Sequence, residues 1–175
     1  AEPAMTNCGM ILPGANFWKR AQALAKKAGA LLVLDETHTL SSGPGGATKA
    51  WGLAPDALVI GKAIAGGFPA AVWGVTAELG ARIEAFPKRG GRSGIGTTLA
   101  GNALGIAAIG ATLREVATAE AYAAMLAGAA VLAERLSDVV KARALPWCVV
   151  QIGARAEIVF APAPPADAAA MRAAL

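Results

Sequence analysis

The sequence predicts an α/β fold with a largely parallel sheet, and three observations carry that reading. Two all-apolar runs, "LLVLD" at 31–35 and "DALVIG" at 56–61, have the length of buried strands. Segments with an apolar period near 3.6 residues stand before and after them. Glycine and proline gather at the junctions, where the chain must turn.

Taken in order, "EPAMTNCGMILP" is extended and turn-rich, and Pro13-Gly14 ends it. "ANFWKRAQALAKKAGA" sets Phe17, Ala21, Leu24, Ala25 and Ala28 against a Lys/Arg face, a helix closed by Gly29. The strand "LLVLD" follows at once. "SSGPGG" is a loop and "ATKAWG" at most a short helix. After the strand "DALVIG", "AGGFP" turns the chain into a third strand, "AAVWGVT", and a short helix, "AELGARIEAF". "PKRGGRSGIG" is too rich in glycine for either periodic structure. From "AGNALGIAAIGATLREV" the pattern is helical with small residues, and a second helix spans about Glu120 to Arg143. Pro146 ends it; "WCVVQIG" and "AEIVFA" form a strand pair, and "PAPPADAAAMRAAL" is a turn leading into a helix. The portion from about residue 130 reads as a separate α+β unit.

Composition narrows the function. Hydrophobic residues make up 55% and charged residues 16% of the 175, against a usual charged share of roughly 25%, so a core is available and disorder is not expected. No run of about 18 apolar residues occurs, so no membrane partner is expected. The net charge of +4 is scattered: Lys19, Arg20, Lys26 and Lys27 lie on a helix and Lys88, Arg89 and Arg92 in a loop. Scattered basic residues do not suggest nucleic acid as the partner. Cys8 and Cys148 show neither metal nor redox spacing, and with one histidine no zinc site is expected. The first residues lack signal-peptide order, and a reducing cytoplasm is the expected setting.

In open parallel sheets ligands gather at the carboxyl ends of the strands, where this sequence puts Asp35 and Lys62. "IGK" is not a phosphate-binding loop, because Asp56 and Ala63 stand where that motif requires Gly and Ser or Thr. A dinucleotide fingerprint and a G-x-S-x-G elbow are also missing. Lys62 follows four apolar residues and Gly61. An amine in such a setting loses hydration of its charged form and can attack an aldehyde; its other reading is a charge reaching water. Gly66 and Gly67 would let the backbone approach a flat ligand. Asp35 could cap the next turn, or it could supply the carboxylate that pyridoxal phosphate often needs at its ring nitrogen.

Four segments in this order, "EP…N…G…P" from Glu2, "LLVLDETHT", "PDALVIGKAIAGGFPAAVWG" and "GTTLAGNAL", resemble class III, fold-type I aminotransferases, most closely the glutamate-1-semialdehyde aminomutase-like branch. The resemblance implies part of the three-layer pyridoxal-phosphate-transferase large domain over residues 1–129 and the start of a small α+β domain over 130–175. It implies that Lys62 carries the cofactor as a Schiff base and moves the proton at the substrate α-carbon, with Asp35 paired to the pyridinium. Thr98 matches a threonine that contacts the cofactor phosphate of a partner subunit, which implies a homodimer with shared sites. Thr37 takes the place of a valine on the ring face, and Thr97 that of a glycine. His38 could touch substrate or bond a backbone carbonyl. Glu36 is read as structural, Asn7 as close to the site, and Trp51 and Trp73 as core or cleft wall. The phosphate-binding turn and the ring-stacking aromatic of the family fall upstream of Ala1, so the 175 residues alone are expected to turn over little substrate. The implied function is amino transfer between an amino acid or amine and a keto acid or aldehyde. The alternatives are a 2,1-aminomutase and, from another class, a catalytically silent α/β binding or assembly module.

Overall fold

The computed structural model describes residues 1–173 other than Cys8, residues 87–95 and Thr97. Most of the glycine-rich segment from Pro87 therefore lies outside the described residues. Strands β1 (Val33–Asp35), β2 (Ala57–Ile60) and β3 (Val72–Val75) form one sheet in that order. β1 and β2 run parallel, with Asp35 opposite Val59, while β3 returns antiparallel to β2, with Val72 opposite Ile60. The parallel pairing brings the carboxyl ends of β1 and β2 to one edge of the sheet. At the opposite edge Asp56 holds the strands together. Its carboxylate accepts from Leu32 N at 2.7 Å and its carbonyl from Thr76 N at 2.9 Å.

The sequence marks where the first helix stops better than which way it faces. α1 (Phe17–Ala28) ends at Gly29 in the left-handed conformation, as a glycine after Lys26 and Lys27 predicts. The residue it buries is Trp18, whose indole donates to Pro3 O at 2.8 Å, and Gln22 accepts from Ala54 N at 2.6 Å. Phe17 and Leu24 are exposed. The apolar stripe is thus rotated by about one position, because the indole and the Gln22 amide both find backbone partners on the inner side.

The helical pattern at 103–116 is divided in two. α4 (Ala103–Ala111) starts at Asn102, whose side chain accepts from Gly105 N at 2.7 Å, and passes into a π turn at Thr112–Val116. Both pieces pack on the 3-10 turn Lys62–Ala65. A short helix α2 (Gly46–Ala50), a helix α3 (Ala77–Ala85) and the long α5 (Ala119–Ala142) complete the helices before the hairpin. Among the described residues no single helix is long and apolar enough to cross a membrane.

Strands β4 (Cys148–Ile152) and β5 (Arg155–Val159) form an antiparallel hairpin, followed by α6 (Ala168–Ala173). Val150, Ile152, Val159 and Met171 bury their side chains together with Ala4, Met10 and Ile11 from the amino-terminal segment. That segment folds back on itself through mutual backbone bonds between Met5 and Ile11. At its start Ala1 bonds Val33 O and Asp35 N along the free edge of β1, in the pattern of a parallel ladder. Residues 2–7, 9 and 10 are therefore held between the sheet and the hairpin, above the end of β1.

The hairpin turn reaches the same place from the other side. Ala154 N donates to Ser41 O at 3.1 Å. Gly153 has φ +54°, and a Cβ there would stand 2.2 Å from Ser42 Cα, a backbone atom that cannot swing away. Gly153→Ala is expected to cost about 2 kcal/mol or more, read as a lower urea midpoint at unchanged slope.

Candidate active site

Beyond Asp35 the chain does not leave the sheet freely; Glu36 pins it. Glu36 is buried, and its carboxylate accepts from the Thr39 hydroxyl, from Ala47 N at 3.2 Å and from Thr48 N. Gly46 passes so close over this carboxylate that a Cβ would meet it at 2.6 Å. The structural reading of Glu36 is what the fold shows: its charge organises the segment from Thr39 to α2, with no role for it in the cleft.

Thr37 then links the two strand ends. Its N–H donates to Asp35 Oδ1 at 2.9 Å, and its hydroxyl oxygen accepts from Gly61 N at 3.0 Å. Gly61 precedes Lys62, so one side chain ties the carboxylate to the backbone that carries the amine. Lys62 has φ +45°, a left-handed conformation that costs a non-glycine residue roughly 1–2 kcal/mol. The buried members of its turn are Ile64 and Ala65, while Lys62 itself is exposed. The apolar enclosure expected for the lysine is not what surrounds it: the apolar neighbours in sequence point away from the amine, and the cleft around it is polar.

Glu2, Asn7, Asp35, Thr37, His38 and Lys62 line one cleft of about 230 Å³. The structure thus brings together four of the five expected site residues. Thr98 is elsewhere, in an exposed turn before α4, and Thr97 lies outside the described residues. His38 bonds through Nδ1 to the Thr6 hydroxyl at 2.8 Å, and its own carbonyl accepts from Ser41 at 3.2 Å. Trp51 and Trp73 are both substantially exposed and neither lines this cleft. Glu2 and Thr6 carry no periodicity or motif that marks them as a pair acting on the site. Only the fold-back that sets Thr6 beside a residue 32 positions later reveals their role. Among the described residues no group of three or more His, Cys, Asp or Glu gathers to hold a metal.

The Thr37 hydroxyl and N–H hold the Asp35 carboxyl below its ordinary range, partial burial opposes them, and the positive charge of Lys62, with that of His38 when its ring is protonated, acts in the lowering direction. A depressed folded pKa means that Asp35 contributes stability above its unfolded pKa, and that this is lost as pH falls through the folded value. Thr37→Val removes the hydroxyl at nearly constant shape. It is expected to move the Asp35 titration upward and the associated acid loss of stability to higher pH, as followed by the carboxyl ¹³C shift.

An exposed amine and an ionised carboxylate on adjacent parallel strand ends, separated by a polar cleft, fit a small aldehyde-bearing ring with a basic nitrogen. The aminotransferase class-III family profile matches residues 1–161. The chain belongs to that family. It is 34% identical over 168 residues, 95% of its length, to the glutamate-1-semialdehyde 2,1-aminomutase of Thermomicrobium roseum, of which the match covers 38%. A glutamate-1-semialdehyde aminomutase variant of Pseudomonas aeruginosa, solved in complex with PMP, superposes over the whole chain with TM-score 0.94 and 41% identity, covering 40% of that protein. A β-phenylalanine aminotransferase of Variovorax paradoxus superposes with TM-score 0.87 and 26% identity over 99% of this chain and 40% of its own. The chain therefore spans about two fifths of the length of the relatives it matches. Its fold is that of the fold-type I transferases.

Proposed function

We propose that these residues serve, within a longer polypeptide, a pyridoxal-phosphate-dependent transfer of an amino group between an amine or amino acid and a keto acid or aldehyde. One observation carries the reading: Lys62 and Asp35 face a common cleft and are joined through Thr37. When bound, the cofactor supplies an aldehyde for amines and a ring that accepts an electron pair. Lys62 would hold the group through its amine, and the same amine, when free, would take and return the proton at the substrate α-carbon. Asp35 keeps a proton on the ring nitrogen, and Thr37 holds that carboxylate ionised and in place. The left-handed backbone at Lys62 aims its side chain out of the strand line into the cleft. His38 lines the same space.

Thr98 is proposed to reach the phosphate held by a partner subunit in a cytoplasmic homodimer. Leu99, Leu104 and Ile106 around that turn are exposed, at 75%, 64% and 58%, a density of apolar surface that supports a subunit contact. A 2,1-aminomutase is the second reading, favoured by the names of the relatives from Thermomicrobium and Pseudomonas. It requires the same residues and differs in retaining its intermediate.

The test is the half-reaction. Full-length protein loaded with pyridoxal phosphate is mixed with single amine donors and no acceptor. Release of up to one keto product per site is expected for a transaminase, and an isomerised amine without net release for a mutase. No change with any donor class, amino acids, ω-amino acids and simple amines included, would end the reading.

A further inference from the structure

His38 is bound into a chain of hydrogen bonds whose direction is fixed. Glu2 Oε2 is an acceptor of the Thr6 N–H at 3.2 Å and of the Thr6 hydroxyl at 2.7 Å. A hydroxyl has one proton to give, and here it goes to Glu2. The Thr6 oxygen can therefore only accept from His38 Nδ1, 2.8 Å away. That places the ring proton on Nδ1. A carboxylate only accepts, so the hydroxyl proton stays on the Glu2 side, and the Thr6 side chain is kept between its two partners by its burial, at 2% exposed, and by the Arg155 guanidinium on its carbonyl at 2.9 Å. Nε2 has no hydrogen-bond partner among the described residues, and His38 lines the cleft with Asp35 and Lys62.

We propose that Glu2 and Thr6 set the tautomer of His38, so that Nε2 stands in the cleft as a fixed hydrogen-bond acceptor for the amino group of the ligand. Glu2 and Thr6 are positioning residues; His38 is the group that touches the ligand. The acceptor half rests on the proposed function, whereas the tautomer half stands on the hydrogen-bond geometry alone. A ring free to choose would put the proton on either nitrogen and meet an incoming amine with an N–H half the time or more. Fixing it removes that clash of donors and favours ligands that present N–H toward this wall.

The test is the ring ¹⁵N spectrum of the whole protein at a pH where the imidazole is neutral, with the His38 signals assigned by their loss in His38→Gln. Protonated Nδ1 and bare Nε2 are expected. Thr6→Ser, which keeps the hydroxyl, should preserve that pattern; Thr6→Val, similar in shape but without an acceptor, should lose it in favour of the Nε2–H form. A wild-type ring protonated on Nε2, or a Thr6→Val spectrum identical to wild type, overturns the relay. Added pyridoxamine 5′-phosphate should move the Nε2 resonance and bind several-fold more weakly to Thr6→Val than to Thr6→Ser. An unmoved Nε2 with the probe bound, or no binding of the probe, overturns the acceptor role. Lys62→Ala separates the two failures. It removes covalent attachment and should leave the His38 tautomer as it was, so cofactor chemistry that survives undiminished in Lys62→Ala counts against the proposed function and not against the relay.

Discussion

Lys62→Ala is expected to abolish retention of the yellow, lysine-bound cofactor and to lower amine exchange by roughly a thousandfold or more, the scale seen when a covalent catalytic group is removed. No other described side chain in the cleft offers a primary amine: the remaining lining groups are two carboxylates, an amide, a hydroxyl and an imidazole. The same position provides an internal control for folding. With φ at +45°, alanine keeps the backbone strain of the lysine while glycine relieves it. Lys62→Gly should therefore be more stable than Lys62→Ala by about 1 kcal/mol, although both lack the amine and both should be inactive. A variant that unfolds less readily yet has lost all exchange cannot owe the loss to a collapsed fold. Equal stability of the two would mean that the left-handed backbone is not strained as described.

Glu36→Ala is the second large effect, and it acts on the frame around the chemistry. The substitution strands the Ala47 and Thr48 N–H groups and the Thr39 hydroxyl inside the protein, at about 1–3 kcal/mol for each unsatisfied buried group. A total loss of about 3–5 kcal/mol is expected, in the range for breaking a buried charge network, and it would appear as a large drop in urea midpoint. Glu36→Gln should recover little of it. All three partners are donors, so an amide nitrogen in place of one carboxylate oxygen faces them with the wrong polarity. The consequences reach the site, because the pinned segment includes the Leu40 carbonyl that Tyr122 bonds at 3.2 Å and Ser41, which receives the hairpin turn. Cofactor retention should weaken in Glu36→Ala at temperatures where the protein is still folded.

Much of this could be read from the residues. The strand runs ending in Asp35 and Lys62, the glycine stop of α1, the extent of α5 and the pair β4–β5 all follow from periodicity and turn chemistry local to each segment. The meeting of Asp35 and Lys62 follows in the same way, since parallel neighbours present their carboxyl ends together, whereas Thr37 and His38 entered through the family resemblance. What the residues did not disclose depends on partners distant in the chain. The face of α1 was decided by Pro3 and Ala54, backbone groups that no helical wheel contains. The π turn at Thr112–Val116 arises where α4 meets the turn bearing Lys62. The exposure of Lys62 follows from a reversal of backbone sign at one residue, which an apolar count cannot register. Glu2 and Thr6 reach His38 only because the backbone bonds of Ala1 to β1 and of Met5 to Ile11 carry them over the end of that strand.

The most direct test of the central claim is chemical trapping. Full-length protein incubated with pyridoxal phosphate, reduced with borohydride and digested should yield a pyridoxyl mass on the peptide that contains Lys62, with Asp35→Asn lowering activity while leaving that mass in place. A pyridoxyl mass confined to other lysines, such as Lys49 or Lys141, or found on none, would contradict it.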